Sequence, residues 1–268
     1  LVGFAASFPG GGRPYPQIYA LDSKGNILNG WSNVIIYPDK EHDSFARFRS
    51  IVIGDLNNDS RNEVVASLHG IHSYDGTAAS SLVAFFSDGT LGFNKVFKDS
   101  AEWSPVLSDL SLIDLNSDGF RDVFFSTYNG SLYALDYRGE LVNGWPKKIS
   151  LPIYAKGFNG ARIGDIDNDS KLEIAIGSIS SDYILSTKDC IYLFNLSADL
   201  IAGWPRCTND DPSYRSKYGH ISFREDDSYI SFANIDGITG DEIILTPGRV
   251  TFLGYSSSWL SAFHNNGS

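Results

Sequence analysis

Three segments of the chain carry acidic and amide side chains at the same alternating spacing. In each segment an oxygen-bearing side chain stands at positions one, three, five and nine, and position two is apolar. The segments are residues 55–63, 114–122 and 165–173. Alternate residues of a tight loop can turn their oxygens towards one point, and Ca²⁺ takes six to eight oxygen ligands. The spacing therefore predicts three calcium-binding loops.

Positions seven and nine define the kind of loop. Position seven varies between Arg61, Phe120 and Lys171, as expected if only its backbone carbonyl contributes an oxygen. The closing acid stands at position nine rather than twelve, and predicted strands flank the loop, so these segments are not EF-hands. A single copy is also typical of an Asx-rich turn without metal. Three copies in one register favour metal binding.

A fourth segment, residues 234–242, follows the same pattern with one substitution. Ile238 stands where the oxygen of position five is expected. This segment is predicted to be a turn that binds no metal.

Short apolar runs on both sides of each loop predict the strands that position it. They are rich in β-branched and aromatic residues and about five residues long, which is typical of strands. The predicted pairs are 50–54 with 63–67, 110–113 with 122–126, 161–164 with 173–177, and 230–233 with 242–246.

A second repeated motif predicts a hairpin in the other half of each repeat. An apolar strand end is followed by a polar turn that has glycine, or alanine once, at the position where a tight hairpin needs a positive φ. The turn residues are Gly25, Gly89, Gly139, Ala198 and Gly267. Most turns lead into a predicted second strand, and three of these end in Gly-Trp, where the indole is expected to pack between neighbouring sheets.

Together the two hairpins form a repeat of four short antiparallel strands, which is typical of a β-propeller blade of about 40–45 residues. We therefore predict an all-β fold, a β-propeller or an arc of one, with calcium loops between the first two strands of its blades. The boundaries are a partial blade at 1–37, blades at about 38–97, 98–150 and 151–207, and a partial blade at 208–268. Three whole blades do not close a conventional ring. We expect a window from a longer chain, or a strand supplied by a partner.

The loops and hairpin turns resemble the FG-GAP/VCBS-type repeats, which are similar to the blades of the integrin α-subunit β-propeller. The resemblance extends over almost the whole chain and implies about three structural Ca²⁺ ions. The implied ligands are Asp55, Asn57, Asp59, Arg61 (carbonyl) and Glu63; Asp114, Asn116, Asp118, Phe120 (carbonyl) and Asp122; and Asp165, Asp167, Asp169, Lys171 (carbonyl) and Glu173.

The resemblance also implies that these ions stiffen one rim while partners bind elsewhere. The chain is thus expected to be a calcium-stabilised binding or adhesion module that recognises a protein or glycan. No nucleophile elbow or zinc-type spacing of histidines occurs, so no catalytic residue is assigned and the chain is predicted not to be an enzyme. One alternative is a polysaccharide lyase-like enzyme or lectin-like propeller. Another is a structural subunit of an extracellular assembly that binds its own kind.

Long, irregular segments between the repeats are predicted to form the partner-binding rim. Loops that vary between regular repeats commonly carry binding function, and exposed aromatic, histidine and arginine side chains are typical of such surfaces. The alternative for each aromatic is that it covers a blade end. The candidates are His42, Phe45, Arg47, His72, Tyr74, Trp103, Tyr183, Tyr214, Tyr218 and His220.

Composition limits the classes of partner and compartment. The 268 residues carry a formal net charge of -11, which disfavours nucleic acid, and no apolar run reaches the length of a membrane helix. The two cysteines, Cys190 and Cys207, flank one predicted hairpin and either form a cross-strand disulfide or remain free thiols. An extracellular or cell-surface location is expected, with a secreted or periplasmic protein as variants of it.

Overall fold

The protein was studied as a computed structural model. The structure describes residues 2–7, 15–31, 34–35, 47–72, 78–98, 110–127, 131–148, 155–180, 190–207, 229–246, 250–252, 255–257 and 261–263. Within these ranges every regular element is a β-strand, and all sheets are antiparallel. Among the same residues no helix is long and apolar enough to span a membrane.

The sheets follow one another along the chain, and each is built from strands that are close in sequence. The first contains β1 (Val2–Ser7), β2 (Tyr15–Ala20) and β3 (Val34–Ile35). The second contains β4 (Arg47–Gly54), β5 (Glu63–His72), β6 (Ala78–Phe85) and β7 (Leu91–Lys98). The third contains β8 (Ser111–Ile113), β9 (Asp122–Ser126), β10 (Ser131–Leu135) and β11 (Lys147–Lys148).

The remaining sheets have the same local order. The fourth contains β12 (Ala155–Gly164), β13 (Glu173–Ser180), β14 (Cys190–Asn195) and β15 (Arg206–Cys207). The fifth contains β16 (Tyr229–Ala233), β17 (Glu242–Thr246) and β20 (Ser261–Phe263). A two-stranded ribbon of β18 (Val250–Phe252) and β19 (Tyr255–Ser257) precedes the last strand.

The predicted pairs of strands around the acidic loops are confirmed. Gly54 lies opposite Glu63, Ile113 opposite Asp122, and Gly164 opposite Glu173, so each nine-residue segment connects two adjacent antiparallel strands. Three successive four-stranded sheets, β4–β7, β8–β11 and β12–β15, contain these loops. The closing acid is therefore the first residue of its strand, where the pairing holds its backbone in place.

The prediction for the second hairpin is confirmed at the turn and corrected after it. Gly25, Gly89, Gly139 and Ala198 have φ of 86°, 83°, 82° and 66°, as the turn requires, and the fifth predicted turn residue, Gly267, lies outside the described residues. However, the run before each Gly-Trp is not a full strand: it pairs at a single bridge, such as Leu135 with Leu141, and then turns. The outer strands β3, β11 and β15 form only after the tryptophan, because the Gly-Trp turn interrupts the pairing.

The chain divides into two compact units. The first comprises Leu1–Val106, Leu110–Phe124 and Tyr133–Trp145; the second comprises Leu107–Asp109, Phe125–Leu132 and Pro146–Ser268. In the first unit Trp31 packs with residues of β2, β5 and β6, and its indole N–H donates to the Ser87 carbonyl at 3.0 Å. In the second unit Trp204 packs with Ile166, Ile230 and residues of β13 and β14. Both indoles are thus core residues, as predicted.

Candidate metal sites

The first acidic loop is held by hydrogen bonds from its own backbone to its own carboxylates. The backbone N–H of Asp59 donates to Asp55 Oδ1 at 3.2 Å and to Asn57 Oδ1 at 3.1 Å. The N–H of Ser60 donates to Asp55 Oδ2 at 2.9 Å, and the N–H of Arg61 donates to Asp59 Oδ1 at 2.8 Å. These bonds turn the side chains of positions one, three and five towards the inside of the loop.

The second and third loops repeat this network position by position. The N–H of Asp118 donates to Asp114 Oδ1 and Asn116 Oδ1, each at 3.1 Å. The N–H of Asp169 donates to Asp165 Oδ1 at 3.0 Å and to Asp167 Oδ1 at 3.1 Å. Positive φ recurs at positions four and six, at Asn58, Ser60, Ser117, Gly119, Asn168 and Ser170. Asparagine and glycine adopt this conformation more readily than other residues, whereas the three serines are held in it by the turn.

The closing acid of each loop lies inside the protein. Glu63 and Asp122 have only 2% and 1% of their surface exposed. One oxygen of each accepts a hydrogen bond at 2.9 Å from the backbone N–H of position two, Leu56 or Leu115. The other oxygen, Glu63 Oε1 or Asp122 Oδ1, is buried and has no hydrogen-bond partner. A buried carboxylate oxygen without a partner is costly, and a cation beside it would remove that cost.

The pKa values of these acids also indicate that their negative charge is unfavourable in the absence of a cation. Burial raises the pKa of Asp122 to about 6, and repulsion from Asp118 and Asp114 adds to the effect. Burial likewise raises the pKa of Glu63 and of Glu173, with further contributions from the acids of their own loops. Positioning negative charges around a buried carboxylate favours its protonated form unless a cation is present.

Two of the loops bring three carboxylates together closely enough to share one ion. One oxygen from each of Asp55, Asp59 and Glu63 lies within 4.8 Å of the others, and the same holds for Asp165, Asp167 and Glu173. Within the described part of the chain, the second loop does not form such a group. Its closing residue is Asp122, which is one methylene shorter than glutamate and reaches less far into the loop.

The donor set of the two clusters fits a hard divalent cation. All the side-chain ligands are carboxylate or amide oxygens, and positions seven can add a carbonyl oxygen, which is the chemistry that Ca²⁺ prefers. In the third loop the ammonium of Lys171 lies 2.6 Å from Asp169 Oδ2 and lowers the pKa of that carboxyl. The positively charged side chain of Lys171 therefore lies at the edge of this cluster.

The fourth segment keeps the scaffold of the loop without its ligand geometry. The N–H of Ile235 donates to Glu242 Oε2 at 2.9 Å, as position two does in the other loops. The N–H of Gly237, not that of position five, donates to Asn234 Oδ1 at 2.7 Å, and the Asn234 amide donates to the Ile238 carbonyl. Ile238 is 63% exposed. The geometry agrees with the prediction of a turn that lacks the fifth-position ligand.

Loops of neighbouring sheets are linked through their backbones. In the first unit the N–H of Arg121, just before the closing acid of the second loop, donates to the Leu56 carbonyl at 3.2 Å. In the second unit the N–H of Asp241 donates to the Ile166 carbonyl at 2.6 Å. Leu56 and Ile166 are both 1% exposed. The residue at position two therefore makes two bonds. Its N–H donates to the closing acid of its own loop, and its carbonyl accepts from the backbone of the next loop.

Most of the predicted partner-binding residues lie outside the described part of the chain. Arg47 and His72 belong to β4 and β5. The other eight fall outside the described residues: His42, Phe45, Tyr74, Trp103, Tyr183, Tyr214, Tyr218 and His220. Their role as a binding rim stays a prediction.

The two cysteines occupy facing positions of β14 and β15. Cys190 lies opposite Cys207 in the register and is disulfide-bonded, and no free cysteine is present among the described residues. Since the sequence contains two cysteines only, the bond joins β14 to the outer strand of the fourth sheet.

Sequence reasoning missed one feature beside the second loop. The rings of Phe120 and Tyr137 stack with centroids 5.0 Å apart, and the Arg138 guanidinium lies 5.2 Å from the centre of the Tyr137 ring. The available signal was the aromatic residue at position seven together with the tyrosine in the hairpin turn of the same sheet. These two positions are 17 residues apart in sequence, and only the sheet shows that they meet.

The fold and its loops define an all-β protein of repeated antiparallel sheets with acidic, metal-competent loops. Residues 114–176, which contain the second and third loops, match the family model of the FG-GAP-like repeat. The chain therefore contains an FG-GAP-like repeat, and the resemblance seen in the sequence is confirmed. A search of curated proteins found no match.

Solved structures with a similar fold include carbohydrate-active enzymes. The exotype rhamnogalacturonan lyase YesX aligns with 100% of this chain and 44% of its own length, at a TM-score of 0.51 and 14% identity. Rhamnogalacturonan lyase YesW aligns with 99% of this chain and 45% of its own length, at 0.50 and 13%. A putative exo-beta-1,3-galactanase from Bifidobacterium bifidum s17 aligns with 98% of this chain and 83% of its own length, at a TM-score of 0.47 and 9% identity. The chain spans less than half the length of the two lyases.

These structures contradict the prediction that the chain is not an enzyme. Two solved structures of similar fold are rhamnogalacturonan lyases, so the fold is one that carbohydrate-active enzymes use. The prediction was wrong because it relied on missing nucleophile and zinc motifs. A lyase needs neither: elimination requires a base and a means of neutralising the substrate's acid group, and no short sequence motif marks those.

Proposed function

We propose that the chain is the calcium-stabilised β-propeller region of a carbohydrate-active protein, and that its ligand is a polysaccharide. The observation that carries the proposal is the alignment of the whole chain with two rhamnogalacturonan lyases at TM-scores of 0.51 and 0.50. Identity of 13–14% leaves the substrate open, so the proposal names the class of ligand and not a particular polymer. The FG-GAP-like repeat at residues 114–176 supports the propeller arrangement of the sheets.

The calcium ions in this proposal are structural. Each candidate site lies between the first two strands of a sheet, and its closing acid is buried against the backbone of position two. An ion there would neutralise the acids and fix the loop between its two strands. The same arrangement recurs in successive sheets, whereas a catalytic centre is expected once per protein. The ligands would be the acids and amides of positions one, three, five and nine together with the carbonyl of position seven.

An oxidising, calcium-rich compartment suits both features of the molecule. The disulfide at Cys190 is typical of secreted or cell-surface proteins. Extracellular calcium modules commonly have dissociation constants of about 10⁻⁴ to 10⁻³ M, which cellular interiors do not supply. We therefore propose an extracellular location, and a glycan rather than a nucleic acid as the partner of this acidic chain.

The proposal is tested with a panel of plant and microbial polysaccharides in calcium-containing buffer. Binding is measured by affinity electrophoresis, and cleavage by the ultraviolet absorbance of the unsaturated uronate that a lyase releases. We expect retardation by at least one polymer of the panel. Release of unsaturated product would identify a lyase, and binding without release would identify a carbohydrate-binding region. Mobility that no polysaccharide changes would contradict the proposed function.

A further inference from the structure

An aromatic and cationic surface lies at the loop end of the third sheet. Its members are Phe120, Tyr137 and Arg138, which we call the aromatic platform. Phe120 and Tyr137 stack at an interplanar angle of 28°, and both keep part of their surface exposed. Arg138 lies against the Tyr137 ring, and its side chain is 68% exposed. Phe120 and Arg138 both lie against the Tyr137 ring, so the platform is preformed and part of it is exposed to solvent.

The fold brings these residues together because the loop and the turn leave the sheet at the same end. Phe120 stands at position seven of the loop between β8 and β9, and Tyr137 and Arg138 lie in the turn after β10. The backbone N–H of Phe120 donates to Asp118 Oδ1, and the N–H of Arg138 donates to Asp136 Oδ1, each at 2.9 Å. Both segments are thus held in place by their own backbone before any ligand arrives.

The equivalent positions of the other sheets carry no aromatic pair. In the second sheet position seven is Arg61 and the turn residue is Ser87; in the fourth sheet they are Lys171 and Leu196. The turn of the first sheet has Ser23. Because the turn itself folds with serine or leucine at this position, Tyr137 is not needed for the turn. A different role for its ring is indicated.

The polar groups of the platform are arranged to donate hydrogen bonds while carrying little net charge. Arg138 Nε and one terminal nitrogen donate to Asp136 Oδ2 at 3.0 and 2.9 Å, so the guanidinium is already neutralised. The other terminal nitrogen keeps its donors, and no described residue forms a hydrogen bond with the Tyr137 hydroxyl. Exposed Leu141, at 47%, extends the apolar surface along the same turn.

From this geometry we propose that the aromatic platform is a binding subsite for a neutral hexopyranose unit of a polysaccharide. The C–H face of the sugar ring packs on the exposed part of the Phe120–Tyr137 pair, and its hydroxyls accept from Arg138 and exchange hydrogen bonds with Tyr137. A neutral sugar is favoured over a uronate because Asp136 already neutralises Arg138 and the chain has a net charge of -11. This inference rests on the proposed carbohydrate function and assigns a site to it.

The test replaces Tyr137 with the residue that two other turns use. Tyr137→Ser should weaken binding of a neutral galactan by about tenfold, because the stacking surface is lost and about 1.4 kcal/mol corresponds to tenfold. Tyr137→Phe keeps the ring and should lose less. Leu196→Ser, the same change in the turn of the fourth sheet, is the matched control and should bind as the unchanged protein does. A calcium-dependent melting transition shows that each variant is folded.

Comparing the binding of two polysaccharides shows whether the proposed site alone is wrong or the proposed carbohydrate function is wrong as well. The unchanged protein should bind neutral galactan more tightly than polygalacturonate, with little dependence on salt. If Tyr137→Ser binds galactan as tightly as Leu196→Ser does, the aromatic platform is not the site, although the carbohydrate function stands. Preferred, salt-sensitive binding of polygalacturonate would overturn the choice of a neutral sugar. If the unchanged protein binds no polysaccharide at all, both proposals are wrong.

Discussion

The third and fourth loops of the chain share a scaffold but differ in their capacity to hold a metal. In both, the N–H of position two donates to the closing glutamate, Glu173 at 2.8 Å and Glu242 at 2.9 Å. At the four ligand positions one, three, five and nine the third loop has four acids, whereas the fourth has acids only at positions three and nine. Of these two loops, the third brings three carboxylates within 4.8 Å of one another, and the fourth does not form such a group among the described residues.

This difference separates two roles of the closing acid. The hydrogen bond between the closing acid and the N–H of position two belongs to the turn between the strands, and the fourth loop keeps it although it has lost ligand positions. The oxygens of positions one and five accept backbone hydrogen bonds within the loop, but without a cation their charges also repel the closing acid. The fourth loop also keeps the donation of the Asp241 N–H to the Ile166 carbonyl, so it still supports the third loop from the neighbouring sheet.

The largest expected effect is the removal of calcium from all complete loops. At calcium about tenfold above the dissociation constant, each site contributes about 1.4 kcal/mol, so three sites contribute about 4 kcal/mol. The thermal midpoint should fall strongly when a chelator replaces millimolar calcium. A midpoint that is the same in chelator and in calcium would show that the loops do not depend on an ion.

A paired substitution compares the complete loop with the degenerate one directly. Asp169→Ala removes the fifth-position ligand of the third loop and should cost about 1 to 2 kcal/mol more in calcium than in chelator, where only its exposed hydrogen bonds with Lys171 are lost. Asp236→Ala in the fourth loop should cost equally little in both conditions. Chemical denaturation with and without chelator measures these four free energies. Equal calcium-dependent losses for the two variants would remove the distinction between the loops.

Replacing the closing acid of the second loop should change stability in opposite directions in the metal-free and the calcium-loaded protein. The folded pKa of Asp122 is raised from 3.8 to about 6, so its ionisation costs the metal-free fold stability as the pH rises through 6. Asp122→Asn removes that charge and should stabilise the chelated protein at pH 7 by about 1 to 3 kcal/mol, with no gain at pH 4. In calcium the same variant should be less stable than the unchanged protein. Denaturant titrations at both pH values check this, and a variant that is destabilised in chelator at pH 7 would contradict it.

The smallest expected effect is the partial restoration of the fourth loop. Ile238→Asp supplies the missing oxygen at an exposed position, while position one remains the neutral Asn234. A weak site should appear, with a calcium-dependent stabilisation of about 1 kcal/mol or less. Ile238→Ala is the control that removes the apolar side chain without adding a ligand. If both variants respond to calcium alike, the fifth position does not decide metal binding.

The repeated features of the molecule could be predicted from sequence, and the contacts between repeats could not. The strand pairs around Glu63, Asp122 and Glu173 follow from local apolar runs and turn residues, and the ligand positions follow from their spacing. The run before Trp31 was predicted as a strand, but a Gly-Trp turn interrupts its pairing after one bridge. Whether the backbone forms strand pairs or the turn depends on three-dimensional packing, and no periodic pattern in the sequence reveals it.

The aromatic platform and the links between loops show the same limit. Phe120 and Tyr137 meet because two turns leave one sheet at the same end, and Arg121 reaches Leu56 because two sheets pack side by side in the first unit. Neither contact is encoded by residues that are neighbours in sequence. The enzyme prediction failed for a related reason, since the similarity to lyases lies in the arrangement of strands at 13–14% identity.

The central proposal is that the three complete loops bind calcium and the fourth does not. Calorimetric titration of calcium into chelator-treated, desalted protein measures the number of ions directly. The account predicts about three ions per chain, with one site lost in Asp169→Ala and none lost in Asp236→Ala. Absence of binding heat at millimolar calcium, or an unchanged stoichiometry in Asp169→Ala, would contradict it.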